Sequence, residues 1–129
     1  MTVKVGTNDT GGHYTVIEMV HPPSVGPALH VHPASIESFY ILEGAYTFYR
    51  GFEIVNAQVG DCVTIPAGTP HRYKVGPSGG RALVISPPYL ELYFKTISDM
   101  LLSGPVLLDI EKDIVSRFGQ HFLDMTAHW

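Results

Sequence analysis

The stretch that decides the fold is HVHPASIESFYILEG, which covers residues 30–44. It opens with two histidines, His30 and His32, and in a strand residues two apart point to the same face of the sheet. From Glu37 onward the same alternation places Phe39 and Ile41 on the face of the carboxylate. The stretch therefore predicts that two imidazoles and one carboxylate can come together on one face of a sheet.

A second stretch, GDCVTIPAGTPH at residues 60–71, ends on another histidine. Its segment Pro66-Ala67-Gly68 predicts a turn immediately before a strand that begins at His71. In that strand Tyr73 and Val75 share the face of His71, and the basic residues between these positions point away. This polarity predicts that His71 points inward.

Short β-branched and aromatic runs, separated by glycine and proline, fill the chain as far as about Pro88. The predicted strands cover residues 13–20, 36–42, 45–50, 61–65, 71–75 and 82–86. The turn signals between them include Glu43-Gly44 and Gly79-Gly80. Short strands at this spacing predict an all-β barrel or sandwich.

The period of the apolar residues changes after Pro87-Pro88. They recur at helical intervals in two segments, as Leu90, Phe94, Ile97 and Leu101, and then as Ile110, Ile114 and Phe118. Gly119 is placed to cap the second helix. We expect a β-barrel at residues 1–88 and a C-terminal helical extension of the same domain at residues 89–129. These helices are expected to pack on the barrel and to take no part in the chemistry.

The composition argues against several classes of function. The 129 residues are 45% hydrophobic and 16% charged, and the eight Lys and Arg residues are scattered. Nucleic-acid grooves need clustered basic residues, so we expect no nucleic-acid partner. No apolar run approaches the ~18 residues that span a membrane, and a single cysteine, Cys62, excludes an internal disulfide and a thiolate metal cluster. We expect a cytoplasmic protein with no membrane partner, and the low charge predicts a homodimer.

The two quoted stretches resemble the paired signature motifs of the cupin superfamily. The first motif, G-x5-H-x-H-x3–4-E-x6-G, fits throughout residues 30–44, and the second, G-x5-P-x-G-x2-H-x3-N, fits throughout residues 60–71. Ser24 occupies the position of the opening glycine of the first motif, and Val75 replaces the final asparagine of the second. Both departures lie outside the residues that bind metal in cupins.

The resemblance to cupins implies a double-stranded β-helix, the jelly-roll barrel, and one divalent transition-metal ion. The implied ligands are three imidazoles and one carboxylate: His30, His32, Glu37 and His71. This donor set accepts iron, manganese, nickel, cobalt, copper or zinc, so the identity of the ion is open. Glu37 is also the implied catalytic base, provided that the metal and apolar walls raise its pKa. The other histidines, such as His21, are expected to be ordinary surface or core residues.

The strand phases also predict an apolar, partly aromatic pocket for a small-molecule substrate beside the metal. Its predicted lining is Phe39, Ile41, Phe48 and Tyr73. Similarity to quercetin dioxygenase-like cupins implies an oxygenase that acts on a small apolar or aromatic enol or phenolic compound. Two alternatives stay open because a fold does not select a reaction. One is a non-oxidative isomerase or polyketide-type cyclase that uses the metal as a Lewis acid, and the other is a binding protein without turnover.

Overall fold

The chain folds into a predominantly β structure with two helices near its C-terminal end. The structure is a computed structural model that describes residues 1–124. Its elements in chain order are β1 (Thr2–Val5), β2 (Thr15–His21), β3 (Leu29–Val31), β4 (Glu37–Arg50), β5 (Glu53–Ala57), β6 (Cys62–Ile65), β7 (His71–Ser86), α1 (Leu90–Leu101), α2 (Leu108–Arg117) and β8 (His121–Asp124). One 3-10 turn at Thr7–Thr10 follows β1.

The sheet is antiparallel throughout its pairings. One path of neighbouring strands runs in the order β1-β2-β7-β3-β8, and β4 pairs with β5, β6 and β7. The inner face of β4 follows the predicted alternation, with Glu37, Phe39 and Ile41 all buried. The all-β jelly-roll fold with C-terminal helices is therefore confirmed.

Strands β4 and β7 are each continuous where the sequence predicts two short strands and a turn. They pair along most of their length, and Gly44 lies opposite Gly80. A side chain at Gly44 would bring its Cβ within 2.1 Å of the Gly79 carbonyl oxygen, and the φ angle of Gly44 is 78°. The register of the pair shifts on both sides of Gly44. The glycines therefore bend two paired strands at a close backbone contact instead of ending them.

Four short strands lie outside the predicted strand ranges, namely β1, β3, β5 and β8. Strand β8 follows α2 directly and pairs with β3, where His30 lies opposite Phe122. Four residues carry too little alternation to identify a strand, so this one depends on its pairing partner. The segment at residues 89–129 thus contains a strand as well as two helices, and its residues 125–129 lie outside the described part of the chain.

The helices pack on the barrel through a core of their own. This second cluster of buried side chains consists of Ile17 from β2 together with Leu90, Tyr93, Ile114 and Val115. Gly119 follows α2 with a φ angle of 82°, so the predicted glycine cap is confirmed. Within residues 1–124, neither helix combines the length and apolar character that crossing a bilayer requires.

Candidate metal centre

Four side chains from two separate segments of the chain converge in one buried cluster. The four are His30, His32, Glu37 and His71, and their candidate ligand atoms all lie within 4.8 Å of one another. His30 and His71 are direct partners across the β3–β7 pair, and their ring centroids are 4.2 Å apart. His32 follows β3, and Glu37 begins β4. The structure thus brings together all four residues that the cupin resemblance implies as ligands.

The cluster is buried, which makes unpaired polar atoms in it costly. None of the four side chains is more than 6% exposed, and His71 is fully buried. Among the described residues, neither ring nitrogen of His32 has a hydrogen-bond partner, and the same is true of Nε2 of His71. Buried polar groups without partners destabilise a fold by about 1–3 kcal/mol each. A cation bound among these atoms would give them a partner.

The hydrogen bonds of two imidazoles, those of His30 and His71, engage Nδ1 and leave Nε2 available to bind a cation. Nδ1 of His30 lies 2.8 Å from the carbonyl oxygen of Ala28, and Nδ1 of His71 lies 2.9 Å from that of Thr69. A carbonyl oxygen can only accept, so Nδ1–H donates in both rings. In a neutral ring the lone pair is then on Nε2, inside the cluster. A backbone carbonyl that orients a ring in this way is typical of metal-binding histidines.

The carboxylate of Glu37 faces two of the imidazoles. Its Oε1 lies 3.3 Å from Nε2 of His71 and 3.7 Å from Nε2 of His32. Two donors with bonds of about 2.0–2.2 Å to one ion lie roughly 3–4 Å apart, so both distances fit a shared ion. The donor set of three imidazoles and one carboxylate also suits a divalent transition metal.

The protonation states of the cluster suit a metal site at neutral pH. Burial alone would raise the pKa of Glu37, but the facing imidazoles of His32 and His71, when charged, outweigh burial and lower the pKa to about 2. Burial, with the charge of His71, lowers the pKa of His30 to about 4. Glu37 is therefore ionised and His30 neutral, as ligands must be. The role of Glu37 as catalytic base stays a prediction.

A cavity of about 320 Å³ opens from the cluster, and most of its walls are apolar. Phe39 and Tyr73, two of the predicted lining residues, lie on its wall. The other two, Ile41 and Phe48, are fully buried in the barrel core. The ring of Phe48 lies 5.0 Å from that of Phe39 and 5.7 Å from that of Tyr73, behind the wall. Alternation along a strand predicts the inner face correctly but not the depth along the barrel.

The C-terminal segment supplies the residues that sequence reasoning missed. Seven of its side chains line the cavity: Leu90, Tyr93, Phe94, Leu108, Glu111, Gln120 and Phe122. The Tyr93 hydroxyl donates a hydrogen bond of 2.9 Å to Oε1 of Glu111. This segment therefore lines the cavity as well as packing on the barrel. No sequence signal pointed to this role, since an amphipathic helix has the same pattern whether it covers a core or a cavity.

His21 is a buried residue with two partners and is not part of the cluster. Its Nδ1 lies 2.7 Å from the Tyr46 hydroxyl, and its Nε2 lies 3.0 Å from the Tyr73 hydroxyl. Burial is the main cause that lowers the pKa of His21 to about 4, so the ring is neutral at pH 7. A neutral imidazole offers one donor and one acceptor, which these two hydroxyls satisfy.

Comparison with known proteins assigns the family. The model of the cupin domain family matches residues 16–86, which include all four clustered residues. The chain belongs to the cupin family. The structure accommodates both departures from the cupin motifs. Ser24, at the position of the motif glycine, has a φ angle of 61°, in the region that favours glycine, and Val75 is 1% exposed in the barrel core.

Similar proteins have several activities. This cupin is 28% identical over 92 residues to quercetin 2,3-dioxygenase of Bacillus subtilis (strain 168), a match that covers 70% of this chain and 27% of the relative. The chain thus spans about a quarter of the length of that relative. KdgF from Halomonas sp. has a similar structure, with a TM-score of 0.59 and 16% identity over 70% of this chain and 80% of that one. The DMSP lyase DddQ from Ruegeria pomeroyi DSS-3 has a TM-score of 0.53 and 27% identity over 62% of this chain and 41% of that one.

Proposed function

We propose that this cupin binds one divalent transition-metal ion and is an oxygenase for a small, largely apolar enol or phenolic compound. The observation that carries the proposal is a buried cluster of three histidines and one glutamate at the end of an apolar, aromatic cavity. The proposed ligands are His30, His32, Glu37 and His71. The similarity to quercetin 2,3-dioxygenase supports the reaction class. Iron, manganese, nickel, cobalt, copper and zinc all suit the donor set.

The chain's own residues hold the site in a reactive arrangement. When bound, the ion supplies positive charge for a deprotonated hydroxyl and, for every candidate except zinc, a redox centre for dioxygen. His30 and His71 are oriented by their backbone hydrogen bonds, so little reorganisation is needed for their Nε2 atoms to act as ligands. The ionised Glu37 adds negative charge within the cluster, and we propose it first as a ligand.

The cavity selects the size and polarity of the substrate. Its volume of about 320 Å³ is at the lower end of the ~300–1,000 Å³ range of ligand sites, which favours compounds of one or two rings. Phe39, Phe94 and Phe122 present aromatic surface to a flat ring and keep water away from the reacting atoms. Among the described lining residues there is no lysine or arginine, which argues against a sugar phosphate.

A non-oxidative reaction is the second candidate. It is favoured by the likeness to the DMSP lyase DddQ, because a lyase does not oxygenate its substrate. The same four ligands would then serve a Lewis acid, as in the isomerase or cyclase alternative. The third possibility, a binding protein without turnover, predicts a saturable ligand that is never converted.

Elemental analysis followed by oxygen-electrode assays tests the proposal. Purified protein is expected to contain about one transition-metal ion per chain, and His71→Ala much less, whereas the exposed-site variant His13→Ala is the matched control. Catechol and other one- and two-ring phenols are then supplied with and without dioxygen. Consumption that requires dioxygen supports the oxygenase, and equal consumption under nitrogen would assign the non-oxidative reaction instead. Binding without conversion would leave a binding protein.

Assembly and location are further proposals. Large apolar side chains exposed on β2, β4 and β5, such as Val20, Tyr40 and Ile54, support a homodimer. Light scattering coupled to size exclusion is expected to give twice the mass of the chain, and the mass of one chain would contradict the dimer. We also propose a cytoplasmic location, which fractionation of cells that express the protein would test.

We propose that residues 1–88 and 89–129 form one domain. The pairing of β8 with β3 and the packing of α1 and α2 on Ile17 support this proposal. A single calorimetric transition whose van't Hoff and calorimetric enthalpies agree is expected, and two separate transitions would contradict it.

A further inference from the structure

Gln120 lines the same cavity as His30 and His32 although it is remote from them in sequence. Val31 pairs with His121 and His30 with Phe122, so continued pairing places Gln120 across from His32. Residues two apart share a face of a strand, and the cavity lining indeed includes His30, His32, Gln120 and Phe122. The side chain of Gln120 therefore belongs to the same wall as two of the proposed ligands.

The turn before β8 presents this side chain to the cavity. The backbone N–H of Gln120 donates to the carbonyl oxygen of Val115, 3.2 Å away, and that of Gly119 donates to Ser116. With the left-handed φ angle of Gly119, this is the Schellman motif, which ends α2 and reverses the chain. The backbone amide of Gln120 is thus occupied by the cap, and the side chain is left for another partner.

The carboxamide of Gln120 is buried without a hydrogen-bond partner for its nitrogen. The residue is 4% exposed, and within residues 1–124 nothing accepts a hydrogen bond from Nε2. Two other polar groups of the wall are already engaged, because the Tyr73 hydroxyl bonds to His21 and the Tyr93 hydroxyl donates to Glu111. A buried amide donor left unsatisfied is costly, so its place on a cavity wall indicates an acceptor that arrives with a ligand.

We propose that Gln120 is a specificity-determining residue that donates a hydrogen bond from Nε2 to an oxygen atom of the substrate bound beside the metal ligands. This inference rests on the proposed function and narrows its substrate class. The substrate carries adjacent oxygen atoms, as in a catechol or an enol next to a carbonyl, so that one faces the ligands and another accepts from Gln120. An amide donor aimed at a developing oxyanion in a site shielded from water also stabilises that charge.

The test compares two probes of the metal site in two variants. Zinc-loaded protein is titrated under nitrogen with catechol, which offers adjacent oxygens, and with imidazole, which offers none. Zinc is chosen because it does not change its oxidation state and leaves catechol intact. Gln120→Met keeps the length of the side chain and removes its amide. The matched control is Gln58→Met, the same change at an exposed glutamine in the turn between β5 and β6.

Gln120→Met is expected to bind catechol about 10- to 100-fold more weakly, the effect of one hydrogen bond to a charged oxygen, and to bind imidazole within about twofold of the wild type. Its zinc content should stay at one per chain, and Gln58→Met should match the wild type. Equal catechol affinity in Gln120→Met and wild type would overturn the inference while leaving the metal site and phenol binding intact. Loss of zinc would also overturn it, because Gln120 would then be a metal ligand.

A wild-type protein that holds zinc and imidazole but no catechol would instead refute the phenolic substrate class of the proposed function. If Gln120→Met does not fold, Gln120→Asn replaces it. This variant keeps the polar group but withdraws the amide by one methylene, and it is expected to lose catechol affinity with imidazole binding unchanged. Unchanged catechol affinity in Gln120→Asn would count against the inference in the same way.

Discussion

Replacing His71 by alanine should remove most of the thermal stabilisation that a divalent ion gives to this protein. The side chain is fully buried, and its Nδ1 is held by the carbonyl oxygen of Thr69 at 2.9 Å. That bond directs Nε2 to a point 3.3 Å from Oε1 of Glu37. The substitution therefore removes one of the four candidate donors.

The size of the effect follows from binding linkage. An ion at about 100 times its Kd stabilises the folded state by about 2.7 kcal/mol, which for a domain of this size raises Tm by about 10 °C. Loss of a residue that merely orients a ligand costs 10- to 100-fold in metal affinity, so we take about 100-fold as the least cost of losing His71. The same ion concentration is then near the Kd of the variant. The remaining stabilisation is about 0.4 kcal/mol, or about 2 °C.

The assay is differential scanning calorimetry at pH 7.5 on chelator-treated protein, with and without added ion. The increment in Tm is compared rather than Tm itself, because removing a buried side chain lowers stability whether or not a metal binds. His21→Ala is the matched control. It removes another buried histidine with two hydrogen bonds, outside the cluster, and its metal-induced increment should stay at about 10 °C.

The result that refutes the reasoning is a Tm increment in His71→Ala equal to that of the wild type. An increment that disappears equally in His21→Ala would also refute it, because the effect would then come from general destabilisation. No increment in the wild type with any of the six candidate ions would remove the metal site itself from the proposed function.

Two further predictions concern stability. The pKa of His21 is lowered from 6.5 to about 4, so between these pH values the unfolded chain binds the proton more readily and the folded state loses stability as the pH falls. In urea unfolding of metal-free protein, His21 contributes about 3 kcal/mol to this loss of stability. The free energy of unfolding of His21→Ala should therefore depend less steeply on pH, and the dependence that remains includes the similar shift of His30. An unchanged slope would contradict the burial argument. Gly44→Ala should lower the free energy of unfolding by more than about 2 kcal/mol, since its Cβ would lie 2.1 Å from a carbonyl oxygen. Gly60→Ala has a φ angle of 90° but open space around it and should lower the free energy of unfolding by about 1–2 kcal/mol. Chemical denaturation would measure both variants, and equal losses would contradict the close contact as the cause.

The local patterns of the sequence predicted much of the fold and the members of the cluster. Period-2 alternation identified the inner face of β4 from Glu37 to Ile41, and helical periodicity predicted α1, whose observed bounds are Leu90–Leu101. The resemblance to the cupin motifs implied the four residues that the structure brings within 4.8 Å of one another. These features depend on neighbours in the chain, which is why they could be read without a structure.

Two errors in the strand prediction have one physical cause. Glu43-Gly44 and Gly79-Gly80 were read as turns, because glycine in a strand pattern is a turn signal by itself. In the folded chain Gly44 and Gly80 face each other, and the absence of side chains lets both strands bend and continue. Whether a glycine ends a strand or bends it depends on what lies opposite, and the opposite residue is distant in sequence.

The sequence by itself thus determined which side chains face inward, since strand alternation depends on local spacing, and its resemblance to the cupin motifs implied the fold family and the donor set. Only the tertiary structure decided which inward-facing residues reach the cavity, so that Phe39 lies on its wall and Phe48 behind it. It also decided that β8 exists and that Gln120 lines the same cavity as His32. The physical reason is that depth in a barrel and pairing of short strands are set by contacts between distant segments, which no local pattern records.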